Sequence, residues 1–347
     1  MITVLIVDDS AVARQHIRHI LESDPEVRVI GTANDGEDAV ELLKERTPDV
    51  VTMDINMPGM NGHEATRIIM ETNPVPIVIV SASYDRSDVE KSFRAMEAGA
   101  VAILEKPAGP GHPDFESASR ELLRTVKLMS EVRVVRRWRS GRHAQPRADS
   151  ETAVKSPRLV VIGASTGGPP VIQTILSGLK PGFKAPVMIV QHIAKGFIEG
   201  MAEWLSNETG LPISIAFDGE TLKPGRVYFG PDGCHFGVEN GGRVALSKAP
   251  PENGIRPSVA HLFRSAMAAY GSDAVGILLT GMGKDGAAEL KLMRERGALT
   301  IVQDKESSVI YGMPGEAVRL DGATLVLPPE RIAYRLASLI GANGQSN

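Results

Sequence analysis

Several shortages in this chain each exclude a class of protein. Its 347 residues hold one cysteine, Cys234, so no disulfide can close within the chain and the composition suits a reducing compartment. Cys234-His235 has no second cysteine at a metal-ligand spacing, which reads as a structural pair. No apolar run approaches the ~20 residues that a membrane-spanning helix needs. The start runs directly into Ile2-Thr-Val-Leu-Ile-Val7, with neither the basic head nor the length of a secretion signal. Neither sign of charge is in excess: the net charge of −4 gives no global attraction to nucleic acid or membrane. The second half shows no helix-turn-helix pattern and the chain has no internal repeat. The expectation is a cytoplasmic protein with no membrane insertion and no DNA partner.

What is present is a soluble globular composition, with 42% hydrophobic and 23% charged residues in a length that favours two domains. In the first part, short β-branched runs at 3–7, 27–31, 50–53, 77–80 and 101–104 alternate with helical patterns at 11–22, 36–46, 62–71, 86–98 and 115–129. Five such units predict an α/β, doubly wound parallel sheet whose function sits at the carboxyl ends of the strands. The polar residues fall at those ends: Asp8 and Asp9, Asp54, Ser81 and Lys106. A lone Asp after a strand reads most simply as a helix cap. Three carboxylates together repel unless a cation joins them, and a hard divalent ion such as Mg²⁺ suits oxygen ligands. Such an ion also screens an incoming phosphoryl group and lets one carboxylate attack it.

Val7-Asp8-Asp9-Ser10, the Asp54-Ile-Asn-Met-Pro58 run and Lys106-Pro107 resemble the response-regulator receiver family over residues 1–125. The resemblance implies a flavodoxin-like fold with Asp54 as phosphoacceptor. It implies Mg²⁺ held by Asp9, Asp54 and the carbonyl of Asn56, with Asp8 in the outer shell. Ser81 and Lys106 would contact the phosphoryl group, Lys106-Pro107 would be a cis bond, and a histidine kinase would be the phosphodonor. Ile103 stands where receivers often carry an aromatic.

Residues 126–157 read as an interdomain linker, basic at Arg133-Val-Val-Arg-Arg-Trp-Arg-Ser-Gly-Arg142. It serves either as a solvated spacer or as an electrostatic contact for an acidic partner or nucleic acid. From Leu159 a second α/β alternation begins and is expected to span 158–343. Its sheet is mainly parallel, with short strands near 213–215, 227–229, 235–238 and 243–246 forming an antiparallel extension or insertion. Leu159-Val-Val-Ile-Gly-Ala-Ser165-Thr-Gly-Gly168 has the grammar of a tight strand-to-helix turn. It fits an exposed nucleophile, a phosphate-binding glycine turn or a plain connection. His192 and Asp285 end two further strands. A serine hydroxyl needs a base, histidine is the usual one, and a carboxylate on the far ring nitrogen orients it. Amide donors for an oxyanion would be those of Thr166 and Met282. His261 reads as a satisfied packing histidine.

Ile162-Gly-Ala-Ser-Thr-Gly-Gly168, Gln191-His192, Leu278-Leu-Thr-Gly-Met-Gly-Lys-Asp-Gly286 and Tyr311-Gly-Met-Pro314 are similar to the chemotaxis protein-glutamate methylesterase catalytic domain. With the receiver in front, the resemblance covers nearly the whole chain. It implies a phosphorylation-regulated hydrolase that demethylates glutamate γ-methyl esters on chemoreceptor cytoplasmic domains and deamidates receptor glutamines. Ser165 would be the nucleophile, His192 the base and Asp285 its orienter, with no cofactor for the esterase. Recruitment to membrane-bound receptor arrays would follow from that substrate. Two other readings stay open at this point. One is a phosphorylation-controlled serine hydrolase of another protein ester or amide, and the other is a non-catalytic adaptor.

Overall fold

The structure is a computed structural model and describes residues 1–81, 86–132, 134 and 156–340. The chain divides into two compact units, Met1–His143 and Ala144–Asn347. Apart from Val134, the basic stretch 133–142 lies outside the described residues. Among the described residues, no helix is long and apolar enough to cross a membrane.

The first unit alternates β1 (Ile2–Val7), α1 (Ala11–Leu21), β2 (Val27–Ala33), α2 (Gly36–Glu45) and β3 (Val50–Met53). It continues through α3 (Gly62–Thr72), β4 (Ile77–Ser81), α4 (Arg86–Ala98), β5 (Ala102–Glu105) and α5 (Phe115–Met129). Five parallel strands lie in the order β2-β1-β3-β4-β5. Helices cover both faces, so β3 and β4 are buried at every position, as their near-continuous β-branched runs require. The order reverses between β1 and β3, and open α/β sheets place their sites outside the strand ends at that point. Asp8 and Asp54 follow those two strands directly. The first three helices are each capped by their own residue. Ser10 accepts from the Ala13 amide, Asp35 from Asp38 and Asn61 from Glu64, which leaves the strand-end carboxylates free of that task.

The second unit opens with β6 (Leu159–Ala164), α6 (Gly168–Ser177), β7 (Val187–Gln191), α7 (Ile198–Thr209), β8 (Ile213–Ile215) and β9 (Val227–Phe229). A hairpin of β10 (His235–Glu239) and β11 (Arg243–Ser247) precedes α8 (Val259–Tyr270). Then come β12 (Ala274–Leu278), α9 (Ala287–Glu295), β13 (Leu299–Gln303), α10 (Met313–Arg319), β14 (Leu325–Leu327) and α11 (Pro329–Ile340). The main sheet has seven strands in the order β14-β13-β12-β6-β7-β9-β8, every pair parallel.

Two expectations need correction. Strands β8 and β9 belong to the parallel sheet rather than to an antiparallel extension; only β10 and β11 are antiparallel, and they form their own sheet. The reason is the long connection from β8 to β9. It pairs with the hairpin edge, through Gly219 N to Val244 O and Leu222 N to Gly242 O, and so can return in the same direction. The second correction concerns proline. The cis peptide bond among the described residues is Arg256–Pro257, and Lys106–Pro107 is trans. The trans form is the ordinary preference of an X-Pro bond, and with it Lys106 still donates its amide to Ser81 O and still reaches two carboxylates.

One close approach ties the second sheet to α8. A Cβ on Gly163 of β6 would lie 2.3 Å from Val259 Cγ1, at the first turn of that helix. Gly163→Ala should therefore destabilise the second unit by about 1–3 kcal/mol through overpacking. A lowered denaturation midpoint would show it, and an unchanged midpoint would contradict it.

Candidate functional site

In the first unit the strand ends gather Asp8, Asp9 and Asp54, whose oxygens lie within 4.8 Å of one another. Asp8 and Asp54 are buried while Asp9 is exposed. Lys106 Nζ lies 2.8 Å from Asp8 Oδ2 and 2.9 Å from Asp54 Oδ2. Burial pushes the Asp54 carboxyl up, and the Lys106 charge offsets only part of that. Burial opposes the Lys106 charge, but Asp54 and Asp8 outweigh it and hold the ammonium above its ordinary value. Three carboxylates against one lysine leave an uncompensated negative site. That donor set fits a hard divalent cation. Ser81 ends β4 and is buried, with its carbonyl taking the Lys106 amide. Asn56 accepts from Lys91 through Oδ1 at 3.0 Å.

In the second unit the order reverses between β6 and β12. Ser165 follows β6, His192 follows the neighbouring β7, and Asp285 lies in the loop after β12. Register sets the first pair. Ala164 is level with Gln191, and the His192 amide donates to Ala164 O at 2.9 Å, so the next residues, Ser165 and His192, emerge side by side. His192 Nε2 lies 3.0 Å from Asp285 Oδ2, an ion-pair distance that is off-line for a hydrogen bond. This leaves Nδ1 as the ring nitrogen available to the serine. Among the described residues no hydrogen bond joins Ser165 Oγ to His192; contacts of this kind often tighten only when substrate binds.

Asp285 does cap a helix, though not the one that follows it. Its Oδ2 accepts the Val259 amide at 2.6 Å and its Oδ1 the Ala260 amide at 3.1 Å, both at the start of α8. Burial alone would push this carboxyl up. Close approach of His192 and the two amides outweigh it and hold the group below its ordinary value. Helix α8 is fixed in turn by Ser258, which caps it and whose amide donates to Nδ1 of fully buried His235 at 3.3 Å. His235 Nε2 meets Pro250 O at 3.0 Å, and its ring stacks on His261 at 4.9 Å. His261 also faces Glu252 at 3.4 Å, and Arg264 joins Glu252 to Glu289. His235, Glu252 and His261 lie close enough to share an ion. The prior partners on His235, and the arginine on Glu252, instead make them a packing network beneath α8.

The Thr166 and Met282 amides have no hydrogen-bond acceptor among the described residues. Around them sit three residues that motif reading left without a role. Gln191 donates from Nε2 to Ser165 O and to His192 O, each at 2.8 Å. Thr280 donates its hydroxyl to Thr166 O at 3.0 Å and receives the Ile310 amide. Gln303 accepts the Thr280 amide at 2.8 Å and donates to Ser307. Their signal in the sequence was only that Gln191 and Gln303 end buried strands, where an amide must find partners.

Comparison with known proteins supplies the family. Residues 160–336 match the family model described as CheB methylesterase, and residues 4–112 match the response regulator receiver domain. A protein of Nitrosospira multiformis named protein-glutamate methylesterase/protein-glutamine glutaminase is 53% identical, with 100% of this chain and 99% of that protein covered. A similarly named protein of Geobacter metallireducens is 55% identical, over 98% of this chain and 99% of its own. The crystal structure of the Thermotoga maritima CheB methylesterase catalytic domain covers 53% of this chain and 100% of its own, at TM-score 0.51 and 37% identity.

The depressed Asp285 carboxyl carries a pH signature. Its ionised form stabilises the fold above the unfolded-chain value, and that contribution is lost as pH falls through the lower folded value. Asp285→Asn should lower stability by about 1.5–3 kcal/mol at neutral pH, the range for hydrogen bonds to charged groups. The gap to the parent should close as pH drops below about 4. Thermal melts across that range check it; a gap independent of pH would count against the clamp.

Proposed function

This chain belongs to the family of protein-glutamate methylesterases/protein-glutamine glutaminases, and from that premise we propose that it hydrolyses glutamate γ-methyl esters on the cytoplasmic domains of chemoreceptors, releasing methanol. By the same route it deamidates receptor glutamines, and phosphorylation of Asp54 by a histidine kinase controls it. The observation that carries this reading is the convergence of Ser165, His192 and Asp285 at one rim of one parallel sheet. The proposed arrangement is a receiver domain at 1–125, a linker at 126–157 and a catalytic domain at 158–343, working in the cytoplasm beside membrane-bound receptors.

Chemistry follows from the geometry. His192 takes the proton of Ser165 Oγ as the oxygen attacks the ester carbonyl carbon. Asp285, ionised at the α8 N-terminus, steadies the imidazolium. The Thr166 and Met282 amides receive the oxyanion. The tetrahedral adduct collapses, His192 returns the proton to the departing methoxide, and methanol leaves a glutamyl ester on Ser165. Water, deprotonated by His192, then attacks that ester and frees the glutamate carboxylate and the serine. A glutamine substrate follows the same course with ammonia as leaving group.

In the receiver, Asp9, Asp54 and the Asn56 carbonyl would hold Mg²⁺, which supplies charge neutralisation for phosphoryl transfer. Asp8 supports that set through Lys106, and Ser81 and Lys106 stand ready for the oxygens of the phosphoryl group on Asp54.

Methanol release from methylated receptor membranes tests the assignment. Ser165→Ala should cut it by a factor on the order of 10⁴ or more. Asp54→Ala should keep basal release and lose stimulation by a small phosphodonor with Mg²⁺. Full turnover by Ser165→Ala would refute the nucleophile. Release of no methanol by the parent, with Ser165 still labelled by a fluorophosphonate, would favour a hydrolase of another protein ester or amide.

A further inference from the structure

The amide donors of an oxyanion hole are backbone groups, so something must hold their peptide planes. A trans peptide unit is planar, with its N–H pointing opposite to its C=O. Whatever pins the carbonyl therefore aims the amide. The Ser165–Thr166 unit has its carbonyl held from two sides, by Gly168 N at 2.8 Å and by Gln191 Nε2 at 2.8 Å. The Gly281–Met282 unit is held likewise, through Met313 N to Gly281 O at 2.9 Å. In each case the amide left pointing away is one of the two that lack an acceptor.

Gln191 is the side chain in this arrangement. It is buried, and its amide can face only one way. Nε2 meets two carbonyl oxygens, those of Ser165 and His192, while Oε1 has no hydrogen-bond partner. Reversal would set an oxygen against two oxygens. A buried acceptor left without a partner is a standing cost, accepted here for two donations that tie the serine turn to the histidine turn. Room for Oε1 exists because residue 168 is glycine: a Cβ there would lie 2.1 Å from Oε1 and 2.9 Å from Ala164 Cβ.

We propose that Gln191 is a positioning residue for the reaction: by holding the Ser165 carbonyl it aims the Thr166 amide at the oxyanion, and Gly168 keeps the slot it needs. The proposal rests on the catalytic reading above and deepens it. Since the oxyanion exists only in the transition state, losing the clamp lowers kcat and leaves KM unchanged.

Two substitutions in the full chain approach the clamp from opposite sides. Gln191→Met keeps the volume and removes both donors. Gly168→Ala keeps the glutamine and displaces its amide. Each should lower kcat for methanol release by about 10-fold to 100-fold at unchanged KM. The rate of Ser165 phosphonylation by a fluorophosphonate, whose developing P–O⁻ uses the same donors, should fall by the same factor. In a Gln191→Ala background the collision with the amide is gone and only the 2.9 Å approach to Ala164 Cβ remains, so adding Gly168→Ala should lower kcat much less than it does in the parent. Full kcat in folded Gln191→Met, a change in KM alone, or additive losses in the Gln191→Ala/Gly168→Ala pair would overturn the proposal. If Gln191→Met does not fold, the Gly168→Ala and Gln191→Ala cycle decides it alone. Ser165→Ala with full turnover would overturn the catalytic reading and the clamp with it. Inactive Ser165→Ala beside fully active Gln191→Met would overturn the clamp only.

Discussion

The carboxylate of Asp285 is the point on which the second unit turns. It sits buried at the sheet rim, where an ionised group survives only if its oxygens are paired. Two backbone amides at the start of α8 and the ring of His192 supply the pairing. One side chain thus joins the loop after β12, the first turn of α8 and the end of β7. The packing beneath α8 follows from that demand. Gly163 lets Val259 come close, His235 holds Ser258, and Arg264 with two glutamates braces the exposed side of the helix.

Both units solve the same problem at the same place in a parallel sheet. Strands buried on both faces carry few polar side chains, so polar groups collect where the strands end and the order reverses. Their chemistry then diverges with charge balance. In the first unit three carboxylates face one lysine, a donor set that fits a hard divalent cation. In the second, one carboxylate faces one imidazole beside a hydroxyl, a set that can move a proton without a metal. The match to a receiver and to a methylesterase model in one chain agrees with that division.

Close backbone approach is the other device at the rim of the second sheet. A Cβ on Gly281 would lie 2.6 Å from Ser165 Cβ, so the loop after β12 presses against Ser165 only because that residue is glycine. Gly167, at φ +77°, makes the turn from Ser165 into α6. These positions leave little slack around the serine. The Thr166 and Met282 amides beside it have no acceptor among the described residues.

Local pattern was enough for much of this. Period and β-branching marked the five units of the first domain to within a residue or two, because buried parallel strands and amphipathic helices are written into nearest-neighbour chemistry. Asp8, Asp54, Lys106, Ser165, His192 and Asp285 were all legible as polar residues at strand ends. The parallel course of β8 and β9, the trans bond before Pro107, the amides that hold Asp285 and the partners of Gln191 were not. Each depends on which segment lies beside which after folding. Strand direction is set by where a connection finds its own hydrogen bonds, and a buried carboxylate or amide is defined by groups up to dozens of residues away. Residue type and spacing along the chain determine what a site can contain; only the assembled sheet decides which atoms meet, because hydrogen bonds act over about 3 Å and carry no memory of sequence distance.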